Sequence, residues 1–113
     1  MVNNSFQASL EWKLIGSATG TTPITLPPNF SEILVLLKME DAFYNFNIPK
    51  LYLDETDKEF YHGQGLNPGE SYYLSQIKIS ISINKVALRE ARWSQNNLLM
   101  NRTSTAITTV YYR

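Results

Sequence analysis

The chain has no cysteine, which excludes a disulfide framework and thiolate chemistry. It has a single histidine, His62, which leaves little for a metal site or a catalytic triad. Neither sign of charge is in excess: ten Lys and Arg residues cancel ten Asp and Glu residues, and both kinds are dispersed. Nucleic acid and anionic membranes demand clustered positive charge, so neither is expected as a partner. Long apolar runs are missing too. The longest, Ile33 to Leu37, falls far short of the roughly 20 residues that span a bilayer. The stretch Met1 to Leu10 has no cationic start and no apolar centre, so it does not read as a signal peptide. The expectation is a chain made in the cytoplasm without a leader. Its 113 residues fit one domain that can bury roughly 65% of its unfolded surface. Residues 1–8 read as a loose, polar segment and 9–113 as the domain.

What the chain has in quantity is neutral polarity. Ten Asn, ten Ser and nine Thr stand beside seven Tyr, a mixture that suits a β-rich, hydrogen-bonding surface. The clearest strand is Gln76 to Asn84. There Ile77, Ile79, Ile81 and Ile83 alternate with Lys78, Ser80 and Ser82, so period two sends the isoleucines to one face and the polar residues to the other. Ile33 to Met39 is nearly continuously apolar and predicts a strand covered on both faces. Glu11 to Ile15 reads as a strand, Ser17 to Thr22 as a turn, and Ile24 to Leu26 as a short strand that Pro27 ends. Lys50 to Leu53 and Lys58 to Tyr61 predict a hairpin with Asp54 to Asp57 at its tip. His62 to Glu70, with three glycines and a proline, predicts a loop. Val86 to Trp93 fits two helical turns or the return arm of a hairpin, and its position after Asn84 favours the hairpin. Thr105 to Tyr112 predicts a closing strand covered on both sides. About eight strands at short turn spacing predict an all-β fold, an antiparallel β-sandwich of jelly-roll-like form.

Few constellations carry chemistry. Asp54, Glu55, Asp57 and Glu59 crowd one hairpin tip, where they point outward instead of facing each other across a cleft as glycosidase carboxylates do. They also lack the glycine and terminal bidentate acid of a calcium loop. Gly63 and Gly65 precede no helix and no Lys-Ser/Thr pair, so they do not begin a phosphate loop. No metal and no cofactor is expected. Of three Asn-x-Ser/Thr triplets, at Asn3, Asn29 and Asn101, about one or two would arise by chance, and without a secretory signal they carry no weight. The suggestive set is aromatic and amide. Tyr44 and Asn45 precede Pro49, and Trp93 is followed by Gln95 and Asn96. A sugar is bound by an aromatic face against its C–H side and by amides at its hydroxyls. The candidate ligand-binding residues are therefore Tyr44, Asn45, Trp93, Gln95 and Asn96, with His62 and Gln64 as additions, carried on loops at one end of the sandwich. The competing reading places Trp93 in the core and the amides in its adjoining turn.

The run Trp12-Lys-Leu-Ile-Gly-Ser-Ala-Thr-Gly-Thr-Thr-Pro-Ile-Thr-Leu-Pro27, then Phe30 to Met39, Phe46-Asn-Ile-Pro-Lys50 and the ending Thr108-Thr-Val-Tyr-Tyr-Arg113 resemble bacteriophage and prophage tail proteins. The likeness spans about residues 10–113 and is to C-terminal modules of tail-fibre or baseplate proteins from phages of Gram-positive hosts. No block is a catalytic signature, and no binding residue of the family maps onto this chain. The resemblance implies a non-enzymatic head domain in the virion. Such a head trimerises at a fibre tip, contacts other tail or baseplate proteins, and adsorbs to a saccharide of the host cell surface. A carbohydrate-binding module of a bacterial secreted or surface protein is the alternative. A small hydrolase is disfavoured, because no nucleophile–base pair is visible.

Overall fold

The computed structural model describes residues 11–66, 73–95 and 98–113; the segment expected to be loose, 1–8, lies outside them. The described residues form nine strands and a single 3-10 turn. These are β1 (Lys13–Thr19), β2 (Ile24–Thr25), β3 (Glu32–Met39), β4 (Ala42–Pro49), the turn Lys50–Tyr52, β5 (Lys58–Leu66), β6 (Tyr73–Ile81), β7 (Lys85–Gln95), β8 (Leu98–Asn101) and β9 (Ile107–Tyr112). One sheet, called A, runs β1-β9-β3-β4, and the other, B, runs β2-β7-β6-β5 with β8 also paired to β7. Every pairing is antiparallel. The chain alternates between sheets over β1, β2 and β3, and β9 returns between β1 and β3. That wrapping is jelly-roll-like. The middle of the chain instead makes a hairpin, β3–β4, and a meander, β5 to β8.

Alternation builds the core. Ile33, Val35, Leu37 and Met39 of β3 face inward at 0% exposure, against Ile79 and Ile81 of β6 and Val86 and Leu88 of β7, equally enclosed. Burying each such side chain stabilises the fold by roughly 1.5–3 kcal/mol, enough for the two sheets to hold without a staple. The ends are tied as well. Arg113 forms an ion pair with Glu32, and its guanidinium lies 4.1 Å from the centre of the Trp12 ring. Its backbone nitrogen donates to Glu32 and its carbonyl accepts from Ser31.

Several local expectations need correction. The outer face of β3 is only half covered: Leu34 and Leu36 are partly exposed and Lys38 is exposed, because among the described residues no third layer packs on sheet A. Ser80 and Ser82, predicted on a solvent face, are 4% and 2% exposed; Ser80 sits between its neighbours on β5 and β7. The strand β1 runs on to Thr19 and postpones the turn to Gly20 (φ 72°), because Ser17 pairs with Thr109 and their hydroxyls meet at 2.8 Å. Lys50 to Tyr52 is a 3-10 turn, not a hairpin arm, since the Lys50 nitrogen already donates to Ser31. The loop predicted from His62 is strand as far as Leu66. Pairing with β6 supplies the ladder bonds that outweigh the weak strand preference of Gly63 and Gly65. Residues 67–70 of that prediction lie outside the described residues.

The segment Val86 to Trp93 is strand and carries a bulge. Lys78 pairs with Glu90 while Ile79 pairs with Leu88, so Arg89 has no partner on β6. The extra residue resets the phase, and Val86, Leu88 and Ala91 are all enclosed.

Candidate functional site

Sheet A stops at the β3–β4 hairpin, where Met39 pairs with Ala42 around the turn Glu40-Asp41. Sheet B continues past it. Across its strands, His62 pairs with Ile77 and Ile77 with Ala91; one step on, Ser75 pairs with Trp93 and Trp93 with Met100. Under the end of sheet A this continuation leaves an open recess of about 410 Å³, lined by Glu40, Asp41, Ala42, Trp93, Met100 and Arg102.

Each lining side chain is held from its own element. Trp93 stands on β7 just past the bulge and packs partly against the core. Arg102 follows β8 in a loop latched to β7. Its nitrogen donates to the Ala91 carbonyl at 2.8 Å, and the Ala91 nitrogen donates to Thr103 Oγ1 at 2.9 Å. The guanidinium of Arg102 forms an ion pair with Glu40 and donates from Nη2 to the Met100 sulfur at 3.1 Å. Glu40 has φ 55°, a left-handed conformation that costs a residue with a Cβ about 1–2 kcal/mol. A strained, charged turn residue paired across a recess is the kind of backbone outlier that gathers at ligand sites. Asp41 next to it has no side-chain partner among the described residues. The recess therefore presents an indole, a thioether, two carboxylates and a guanidinium.

Of the seven sequence candidates, the four whose side chains are described, Tyr44, Asn45, His62 and Trp93, do not form one cluster. Trp93 lines the recess. Tyr44 and Asn45 are not loop residues: they are neighbours on β4, so alternation parts them. Tyr44 is enclosed between the sheets at 9% exposure, and Asn45 is exposed on the outer face of sheet A. His62 is likewise on a strand, β5, with its ring edge-on to Tyr44 (centres 4.8 Å apart) and to Phe46 (6.5 Å). It acts there as packing. Gln64 lies on β5 across from Ser75, and Gln95 ends β7 across from Tyr73 and Leu98. Asn96 lies outside the described residues. Glu40, Asp41, Met100 and Arg102 were missed by the sequence reading. Their one signal is the pair of acids between Met39 and Ala42, a two-residue break between apolar strands.

Two further recesses adjoin. One of about 190 Å³ is lined by Lys38, Glu40, Thr105 and Ile107. Another, about 600 Å³, lies among Thr19 to Thr22, Asn101, Thr103 and Ser104. The described residues contain no group of three or more His, Cys, Asp or Glu side chains placed to hold a metal.

Both outer faces carry ion pairs, that of sheet A between Glu32 and Arg113, but they differ in exposed apolar surface. Sheet B carries Lys78 with Glu59 at 3.4 Å and Arg92 with Glu90 at 3.0 Å. A hydrogen bond from Tyr61 and the ammonium of Lys78 hold the Glu59 carboxyl below its ordinary value of 4.5. Donation from Lys58 and from the Thr56 nitrogen does the same for Asp54. Sheet A instead shows Leu14 at 64% exposure beside Tyr111, with Leu34 next across the ladder.

Comparison of the chain with protein-family models, with curated proteins and with solved structures gives no match.

Proposed function

We propose that this chain is a non-enzymatic saccharide-binding module, and that it serves as a receptor-binding head of a phage tail, adsorbing to a glycan of the host surface. The observation that carries the saccharide reading is the recess in which the Trp93 indole stands among Glu40, Asp41 and Arg102. An apolar ring face with acceptors and a donor at its rim suits a ligand with a C–H face and a hydroxyl edge. Glu40 and Asp41 sit side by side on one turn, and Glu40 is committed to Arg102. That favours holding a sugar over cleaving it, which needs two carboxylates on opposite sides of the bond. The tail assignment rests on the resemblance of the sequence blocks from Trp12 to Arg113. A carbohydrate-binding module of a secreted or surface protein would use the same recess.

The outer face of sheet A, which among the described residues shows Leu14 exposed and Leu34, Leu36 and Tyr111 half-buried, supports self-association as a homotrimer. Light scattering should then give three times the 13.0 kDa chain mass, and Leu36→Lys should return the monomer. A stable monomer at micromolar concentration would remove the trimer from the proposal.

The test of the site is Trp93→Ala on a glycan array. Full truncation of a buried Trp costs roughly 3–5 kcal/mol; Trp93 is half-buried, so about half of that is expected. The variant should fold, melt lower, and lose its array signal. Trp93→Phe should keep most of the signal. Wild-type protein with no array signal would sink the saccharide reading.

A further inference from the structure

We infer that the site takes a chain of at least two sugar units, passing over the Glu40-Asp41 turn from the Trp93 recess to a second position on the outer face of sheet A. This rests on the saccharide reading of the Trp93 recess and goes on to define what length of ligand that recess serves.

The argument starts from Glu40, which belongs to two recesses. On one side it lines the Trp93 cavity, and on the other it lines the smaller cavity with Lys38, Thr105 and Ile107. The wall shared by both is the loop after β8. Arg102 closes one side of it, and Thr105 donates from Oγ1 to the Arg102 carbonyl at 3.3 Å on the other. A ligand reaching Glu40 from the Trp93 side therefore meets the second recess without crossing any other element. The lining of that second recess has no aromatic, and Phe43 joins it from across β3 through Lys38. Phe43, 73% exposed, lies across β4 and β3 from Lys38, whose ammonium is 5.8 Å from the ring centre. Ile107 continues the same ladder step on β9 at 40% exposure. An aromatic face, an ammonium donor and a hydroxyl thus stand one hairpin turn away from an indole, a guanidinium and carboxylates. Trp93 packs toward the core and Phe43 stands on the outer face of sheet A, so one sugar ring does not stack on both. The row Phe43–Lys38–Ile107 lies at the turn end of sheet A, one ladder step beyond Leu36 and two beyond the Leu14–Tyr111–Leu34 row, so it sits at the rim of the face proposed to join copies.

The experiment uses a glycan array carrying mono-, di- and tetrasaccharides of the same sugars, followed by titration of the wild type and three variants with the strongest series. Tetrasaccharides should bind at least about fivefold more tightly than their monosaccharides, the contribution of one added aromatic contact. Phe43→Ala and Lys38→Ala should each remove that gain and leave monosaccharide binding unchanged. Both positions are exposed, so their melting temperatures should match the wild type. Trp93→Ala should abolish binding of every length. Equal affinity for all lengths, or a Phe43→Ala variant that binds tetrasaccharide as the wild type does, overturns the chain inference and leaves a single-unit site. Absence of binding to every glycan overturns both.

Discussion

Glu40 offers a separation of stability from binding that few positions in the chain allow. Its φ of 55° costs a residue with a Cβ about 1–2 kcal/mol, and glycine escapes that cost. Glycine in turn gives back roughly 0.5–1 kcal/mol through the greater freedom of the unfolded chain. The ion pair to Arg102 has side chains 48% and 36% exposed, so solvent screening holds its worth to about 0.2–1 kcal/mol. Glu40→Gln loses the pair and keeps the strain, and should be destabilised by about that amount. Glu40→Gly loses the pair and the strain together. It should lie about 0.7 kcal/mol above the glutamine variant, the middle of a span of about 0–1.5 kcal/mol, and within about 1 kcal/mol of the wild type. In a domain of this size that difference is a shift of roughly 2–5 °C in melting temperature, resolvable by urea titration and thermal melts. Both variants should weaken glycan binding alike, because both release the Arg102 guanidinium from its anchor. A glycine variant no more stable than the glutamine variant would refute the claim that Glu40 is strained. Unchanged binding in both would remove Glu40 from the site.

Other expectations are more direct. Deleting Arg89 should leave the fold intact, with a melting temperature within a few degrees of the wild type, because Arg89 has no partner on β6. Deleting Leu88 instead should unfold the protein, since the charge of Arg89 would enter the core at a cost of several kcal/mol; circular dichroism would read both. The carboxyls of Asp54 and Glu59 sit below their ordinary values of 3.8 and 4.5, so what they add to stability is present above those values and is lost as pH falls through the folded ones. The melting temperature should therefore be flat from pH 7 to about 5 and fall below that. Tyr61→Phe removes the largest cause of the Glu59 shift and should make the acid fall shallower; an unchanged slope would refute the assignment. The same hydrogen bond raises the Tyr61 hydroxyl above 10.0, so its contribution is lost as pH rises through that raised value, and the phenylalanine variant should lack this alkaline loss.

Much of the architecture is legible in the residues because one strand is written in period two and another as an apolar run. Ile77, Ile79 and Ile81 name their face outright, and the apolar run Ile33 to Met39 names its partner. The losses have a common cause, which is pairing between distant segments. Gly63 and Gly65 read as loop until Gln76 and Leu74 supply a ladder for them. Ser17 to Thr19 read as turn until β9 pairs with them. Ser80 reads as surface because its own pattern says nothing of the neighbours that enclose it. Tyr44 and Asn45 show the same limit from the functional side. Composition marks both as sugar-contact residues, and only the register of β4 against β3 shows that they cannot serve one ligand.

The site was half legible for a sharper reason. Trp93 was singled out by type, but the residues around it are joined to it only by the end of one sheet overhanging the other. Its own strand also conceals its phase. Counting back from Trp93 in steps of two reaches Ala91 and then Arg89, which puts a charge in the core and makes the segment resemble helix. With Arg89 taken out of the count, Val86, Leu88, Ala91 and Trp93 fall on one face in unbroken alternation. The bulge that spoils the pattern therefore lets one strand supply both the core, through Val86 and Leu88, and the recess, through Trp93. Glu40 breaks local preference at the other lip of the same recess. Two departures from regular sheet, on different strands and in different sheets, converge on one cavity. A third departure, the register shift between Leu14 and Gly16 of β1, lies away from the recess. The coincidence of the other two is the physical ground for placing the ligand there and not at the aromatic cluster of Tyr44, Phe46 and His62, where every residue follows its strand.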